Sequence, residues 1–464
     1  MRNRWNLSMR APSLVVLTCL TFHGLPLRGE KYHLDSRWEV GSCRQVQVAL
    51  EVRGELRLNA DGQRLVSLPL EVEGRLQYAE RIMNVEQQPW QRQAVRSYSH
   101  AMAKIKAGQG VVNRRLDENQ GPIMALVKED ESLLFCPNRP LRRETLDLID
   151  VQGNSLLVDR LLPTEPIKVG DQWHPEERWL ARLFGWDLVT HSDVTARLVS
   201  VEKRVALLEF GGRMEGSTGG VASELELTGK GNFDLDQRLL TWYAVSLREK
   251  RAIGHAEPGF EVTARLRMAL KAAAVPPELA DSELAQLPTN TGRSADLLSF
   301  VSDHADFQLL HDRRWRSMLD RHDLSVFRLV DRGDLIAQGN VSELPEFEAG
   351  RHLSLSEFQA DVQQNLGEQF GQIVEASQSE SPGGNRILRV VVSGMASELS
   401  IQWIYYHISD DQGRRAAMAF TFESDLIERF GDADRTLVES FEFRARRKPL
   451  EARHPTEDGL RSSR

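Results

Sequence analysis

Cysteine, net positive charge and long apolar runs are all scarce in this chain. Three cysteines in 464 residues (Cys19, Cys43 and Cys136), with no C-x-x-C pair, exclude a disulfide scaffold and a zinc-finger arrangement. The 59 Lys and Arg are outnumbered by 67 Asp and Glu, for a formal charge of -8, the opposite of the basic surplus that neutralises nucleic-acid phosphates. The apolar run 11–22 (APSLVVLTCLTF) is 12 residues long, whereas a helix needs about 20 to cross the hydrocarbon core of a bilayer. Catalytic signatures are missing too: no G-x-S-x-G turn, no S-x-x-K with partners, and no cysteine set out with His and Asn. Gly108-Gln109-Gly110 lacks the third glycine of a phosphate cradle, and Gly229-Lys230-Gly231 falls inside an apolar–polar alternation, so both read as bends or bulges.

What is present is ordinary for a soluble globular protein: 41% hydrophobic and 27% charged residues. The length suggests two or three domains at about 150 residues each. Arg2, Arg4 and Arg10 precede the run 11–22, and no acid occurs before Glu30, which is the layout of a secretory signal peptide over 1–29. The expected location is therefore outside the cytoplasm, periplasmic or extracellular, with no membrane span left once the signal is removed. Cys43 and Cys136 remain in the mature chain. In an oxidising compartment they could pair, closing a loop of roughly 90 residues, or stay as two buried thiols.

Residues 46–83 alternate apolar and polar around the turn Asn59-Ala60-Asp61-Gly62 and predict a long hairpin. A third strand is expected at 94–106, shorter ones at 123–127 and 133–136, and helical cover at 143–150 and 156–161. A short helix at 176–186 and five consecutive strands at 194–201, 204–214, 221–235, 239–250 and 260–270 complete a β-rich unit over 30–275. In 221–235 Leu225, Leu227, Phe233 and Leu235 alternate with Glu224, Glu226 and Asp234, the period of a strand with one wet face. Residues 276–293, rich in Pro, Ala and polar residues, read as a linker. From 294 to 443 helix and strand mix. A helix is predicted over 295–310, a hairpin at 324–341, a helix at 354–370 opening on Ser-Leu-Ser-Glu, and strands at 387–392, 399–408 and 416–422. A broken helix at 425–440 and a strand at 441–443 follow, and the polar tail 444–464 is expected to be disordered.

Two clusters draw attention. Asp303, His304, Asp306, His311, Asp312, Asp320, His322 and Asp323 form the densest titratable group, and on a helix His304 and His311 would share a face as metal ligands. Arg313, Arg314, Arg316 and Arg321 interleave with them, so a solvated, salt-bridged surface is the expectation and no metal is assigned. In 398–408 Trp403 and Tyr405 lie on one strand face and Ile404, Tyr406 and Ile408 on the other, the pattern of a core strand covered on both sides.

The segment 315–443, with its hairpin, its helix bearing Leu355, Phe358, Val362 and Leu366, its antiparallel meander and its closing Leu437–Phe443, resembles the PsbP and DcrB class of α/β sandwich. The resemblance implies a non-enzymatic, extracytoplasmic domain that docks onto other proteins or envelope components. The Val169-Gly170-Asp171-Gln172-Trp173 turn ahead of long strands is similar to exported bacterial β-rich proteins whose sheets resemble the LolA-type half-barrel, which implies a concavity able to hold acyl chains. By chemistry alone Gly170, Asp171 and Trp173 are turn and packing residues. The expected fold is thus α+β, a large antiparallel half-barrel-like domain followed by a PsbP-like α/β sandwich. The expected function is a non-catalytic exported binding or docking protein with a protein or lipid partner in the envelope and no cofactor. The alternatives are a lipid or lipoprotein carrier using the N-terminal concavity and an exported hydrolase with an interdomain cleft.

Overall fold

The computed structural model describes residues 29–60, 64–87, 90–129, 131–288 and 295–445. The proposed signal peptide, apart from Gly29, most of the 444–464 tail, the end of the 276–293 linker and the tip of the first hairpin lie outside the described residues. Strand accounts for 57% of the described residues and helix for 14%, so the α+β expectation becomes a mainly antiparallel β architecture with several sheets.

The first sheet is built from β1 (Cys43–Ala60), β2 (Arg64–Gln87), β3 (Trp90–Ala107), β4 (Gly110–Arg115), β5 (Ile123–Lys128) and β6 (Ser132–Phe135). After β7 (Leu141–Arg142), which goes elsewhere, come β8 (Gln172–Trp173), β9 (Leu188–Ser192), β10 (Thr195–Glu202), β11 (Val205–Thr218), β12 (Val221–Asp234), β13 (Leu239–Arg251) and β14 (Gly259–Ala273). These make 13 strands in the order β6-β5-β3-β2-β1-β14-β13-β12-β11-β10-β8, with β4 on β3 and β9 on β11. Hairpins supply most neighbours, but the joint between the two halves is the β1–β14 ladder, in register from Cys43↔Ala273 to Arg57↔Gly259. In β12 Leu225, Leu227 and Phe233 are buried while Glu224 and Glu226 are exposed, as the period of two predicts.

The buried face is covered by the chain's own 143–186 segment. Two helices, α1 (Arg143–Ile149) and α2 (Glu177–Phe184), and a 3-10 turn Val158–Leu161 set Leu146, Ile149, Leu157, Leu180, Phe184 and Trp186 against the sheet in one apolar cluster. Stacked arginines and tryptophans fasten this layer. Arg44 and Arg92 lie on either side of Trp38 at 3.9 Å, and Arg160 sits 4.4 Å from Trp90 and 4.6 Å from Trp179. Asp159 accepts two bonds from Arg92, at 2.6 and 2.9 Å, and one from the Trp38 indole at 2.8 Å. A charged group this deep is tolerated because it is both paired and hydrogen-bonded.

The start of the expected linker is docked. In α3 (Asp281–Leu284) and the turn before it, Leu279 is fully buried, its carbonyl accepts from Arg81 at 2.6 Å, and Arg81 also pairs with Asp281.

Beyond it lie β15 (Leu297–Val301), β16 (Phe307–Asp312), β17 (Trp315–Asp320), β18 (Ser325–Asp331), β19 (Asp334–Leu344), α4 (Leu355–Leu366), β20 (Phe370–Glu380), β21 (Arg386–Ala396), β22 (Leu399–Ser409), β23 (Arg415–Glu423), α5 (Ile427–Phe430), α6 (Arg435–Glu439) and β24 (Glu442–Phe443). Seven strands pair as β17-β18-β19-β23-β22-β21-β20. Helix α4 starts on a full capping box, Ser354 with Glu357, and presents Phe358, Val362 and Leu366 to Leu388, Val390, Val392 and Trp403. The opposite face packs Ile404, Tyr406, Ile408 and Phe420 against Phe307, Phe430, Leu437 and Phe441.

Three expectations are corrected. The helix predicted over 295–310 is instead the hairpin β15–β16. Ser302 turns the chain, its hydroxyl accepting from the amides of His304 and Ala305 and donating to Asp320, and Phe307, Leu309 and His311 then alternate inward. The helix predicted to Phe370 ends at Leu366, and a polar edge strand, β20, follows it. The strand expected over 204–214 runs on to Thr218 as β11, and only Gly219 and Gly220 form the hairpin tip.

The two regions share a sheet and touch at a pair of hairpin tips, among other contacts. A four-stranded sheet, β24-β16-β15-β7, takes β7 from the N-terminal half, parallel to β15. The tip at Gly220 abuts the β18–β19 tip at Gly333 so closely that a Cβ on Gly220 would fall 2.2 Å from the Gly333 Cα. Glycine is needed at both tips, since both also have positive φ, +69° and +89°.

Candidate functional site

Helix α1 lies where the first sheet, β7 and β15 converge. Its sequence RETLDLI buries Leu146, Leu148 and Ile149 and leaves Glu144 and Asp147 on the other side. Three cavities open around it. One, about 650 Å3, lies between the two regions and is lined by Arg143, Asp147, Glu257, Phe260, His311 and Arg316 among others. A second, about 440 Å3, is polar, with Arg114, Gln120, Arg139, Arg142 and Glu144 in its wall. The third, about 240 Å3, is apolar and lies over Val48, Leu50, Val72 and Leu76 of the sheet. Glu144 lines all three.

Arginines cross the junction to backbone carbonyls. Arg143 donates to the Arg313 carbonyl at 2.9 Å, Arg313 to the carbonyls of Leu134 at 2.7 Å and Ala295 at 3.2 Å, and Arg142 to that of Val301 at 3.3 Å. Burial, with Arg316 close by, brings Arg143 down to about 10. Asp147 lies 3.8 Å from Arg143. Its carboxylate is open to water through the cavity mouth but walled by protein, and this desolvation raises it to about 6 against the pull of Arg143.

His311 is the imidazole of the cleft. It is 3% exposed, and its Nδ1 donates to the Asp312 carbonyl at 2.7 Å. Burial lowers its pKa to about 4, with Arg143 and Arg316 acting in the same direction and Asp312 against it. The unfolded chain then binds the proton first, so stability from this group is complete above pH 6.5 and is lost as pH falls towards 4. Asp147 works the opposite way, favouring the fold when protonated. The difference between wild type and His311→Gln isolates the histidine: across that pH window wild type should lose about 3 kcal/mol relative to the variant. Urea unfolding of both proteins at several pH values checks this, and parallel profiles would refute it.

The residues singled out by sequence do not gather here. Cys43 and Cys136 are separate buried thiols, the latter pointing its Sγ to the Gln120 carbonyl at 3.6 Å. The ladder rows Cys43↔Arg81, Arg81↔Val95, Val95↔Met124 and Met124↔Phe135 place four strand spacings between them. That is roughly 19 Å along the sheet, where a disulfide needs Cα atoms within about 7 Å. Gly170 takes φ +95°, Asp171 accepts from the Lys168 amide at 2.9 Å, and the Trp173 indole donates to the Leu161 carbonyl at 2.8 Å. His304 and His311 share no helix face, since one lies in the β15–β16 turn and the other inside β16. Among the described residues no group of three or more His, Cys, Asp or Glu side chains is placed to hold a metal ion, and no helix is long and apolar enough to cross a membrane. Sequence reasoning passed over Arg114, Gln120, Arg139 and Asp147, which in the sequence are only scattered polar residues.

No family profile matches the chain, and no curated protein is similar to it. Among solved structures, the chain is similar to cyanobacterial PsbP from Synechocystis, 14% identical over 32% of this chain and 92% of that one, with a TM-score of 0.24. Lipovitellin matches at 7% identity over 52% of this chain and 26% of its own, with a TM-score of 0.27. The MucA/MucB complex of Pseudomonas aeruginosa matches at 14% identity over 87% and 94%, with a TM-score of 0.15. Likeness of this degree is a faint one of fold and assigns the chain to no family.

Proposed function

We propose that this chain is an exported, non-catalytic binding protein of the cell envelope that holds its ligand in the groove around α1. The observation that carries the reading is how the cleft's polar groups are committed. The Nδ1 of His311 is tied to a backbone carbonyl, and the imidazole stays neutral at physiological pH. The Ser299 hydroxyl is directed to the Pro140 carbonyl at 3.4 Å, and Arg143 and Arg313 are spent on bracing. Acyl transfer needs a nucleophile within reach of a base, and Ser299 and His311 each turned to a backbone carbonyl support a binding role instead. Export is supported by the arginine-then-apolar layout of the first 29 residues.

One observation favours the competing hydrolase reading. Asp147, raised to about 6, has the protonation expected of a general acid. A panel of ester, glycoside and peptide substrates distinguishes the two. No turnover is expected from wild type, and hydrolysis that disappears in Asp147→Asn would replace the binding reading with the enzymatic one.

A further inference from the structure

The polar cavity beside α1 holds more cationic hydrogen-bonding capacity than its surroundings use. Arg114 pairs with Ala103 through its backbone, but its side chain has no hydrogen-bond or ion-pair partner among the described residues. Arg139 donates to the Asn119 carbonyl at 3.2 Å and to Gln120 Oε1 at 3.1 Å, and Arg142 donates to the Val301 carbonyl. None of the three has a carboxylate within 4 Å among the described residues, although arginines elsewhere in the chain, such as Arg92, Arg96, Arg251 and Arg414, do. Gln120 is 8% exposed, and with its Oε1 taken by Arg139 its Nε2 is a buried donor with no acceptor. Buried donors in folded proteins nearly always have partners, and an orphan in a cavity wall is the mark of a missing acceptor. Asp117, Glu144 and Asp303 line the same cavity and limit its positive charge, which suits one oxyanion better than a polyanion.

This cavity does not stand alone. Arg114, Glu144 and Leu148 line both it and the apolar pocket, whose remaining wall includes Val48, Leu50, Val72 and Ile105. A head compartment rich in guanidinium groups therefore adjoins a tail compartment of aliphatic side chains. Together the two are in the size range of small-molecule sites, about 300–1,000 Å3.

We infer that the groove takes an anionic amphiphile, with its single oxyanion head among Arg114, Arg139, Arg142 and Gln120 and its hydrocarbon chain in the apolar pocket under α1. The inference rests on the binding reading and deepens it. Carboxylate and phosphate monoester heads share the chemistry, because both accept the forked N–H groups of arginine. Burial of the chain against Leu148 and the β1–β3 side chains adds the apolar share of the affinity.

Isothermal titration calorimetry on the full chain, with probes below their micellar concentrations, tests it. Dodecanoate and dodecyl phosphate are expected to bind, dodecanol roughly ten-fold more weakly, and inorganic phosphate not at all at comparable concentrations. Arg114→Gln changes an exposed residue and should melt like wild type, while weakening both anionic probes about ten-fold and leaving dodecanol unchanged. Leu148→Trp, which fills the apolar pocket, should abolish binding of all three long-chain probes. Dodecanol bound as tightly as dodecanoate overturns the inference, as does phosphate bound as well as its dodecyl ester, or no binding by any probe. The last result together with a silent substrate panel removes only the amphiphile and leaves a binding protein for another ligand. Turnover on the panel removes the binding reading instead.

Discussion

Replacing Glu80 with alanine should destabilise the N-terminal sheet by about 3–5 kcal/mol. Glu80 on β2 faces Arg96 on β3 directly across the ladder, and both are buried, at 0% and 3% exposure. Their Oε2–Nε distance is 2.8 Å, Ser155 donates to the same carboxylate oxygen at 2.7 Å, and Arg96 also reaches Asn154 at 2.7 Å. Removing the carboxylate leaves a guanidinium in the core with neutral partners only, and the desolvation cost of an unpaired charge dominates any relief gained. Glu80→Ala should lower the midpoint of chemical denaturation sharply. The double replacement Glu80→Met with Arg96→Met should recover most of the loss, because it removes both charges at once. A Glu80→Ala protein within about 1 kcal/mol of wild type would show that water reaches the pair.

A loss of about 3–5 kcal/mol is also expected for Trp403→Ala. Trp403 is 6% exposed on β22, a strand flanked by β21 and β23, and its ring packs under Phe358, Val362 and Leu366 of α4 beside Val390 and Val392. Truncation removes the apolar area and leaves a cavity that a sheet paired on both sides cannot collapse to fill. The seven-stranded sheet should melt well below its wild-type temperature, or the protein should fail to accumulate in soluble form. Trp403→Phe, which keeps a ring under α4, should lose much less. Wild-type melting of Trp403→Ala together with a lost ligand would instead make the ring a contact residue.

How far the sequence could be read depended on what each segment packs against. Strands with one wet face, such as β12, and strands covered on both faces, such as β22, declare themselves by alternation or by a continuous apolar run, because burial acts on each side chain singly. The start of α4 was legible from Ser354 and Glu357 alone, since a capping box is a contact over three residues. Strand β20 was not legible. It is a polar edge with most side chains in water, so nothing in its composition separates it from a loop. Residues 295–310 misled because Leu297, Leu298 and Val301 fit a helical spacing, whereas Ser302 and its bonds to Asp320, 18 residues on, make a turn there.

The sequence by itself determined the strand-rich pattern, the turn at Gly170 to Trp173, the covering role of 143–161 and the buried run around Trp403. Each of these depends on interactions within a few residues or on the burial of one face. Tertiary structure alone decided that β1 pairs with β14, that Cys43 and Cys136 end up four strands apart, and that β7 joins β15. It also brought Arg114, Gln120, Arg139 and Leu148 around one groove. These juxtapositions join segments from separate hairpins, and the order in which strands pair in a 13-stranded sheet depends on the packing of the whole face rather than on any local signal.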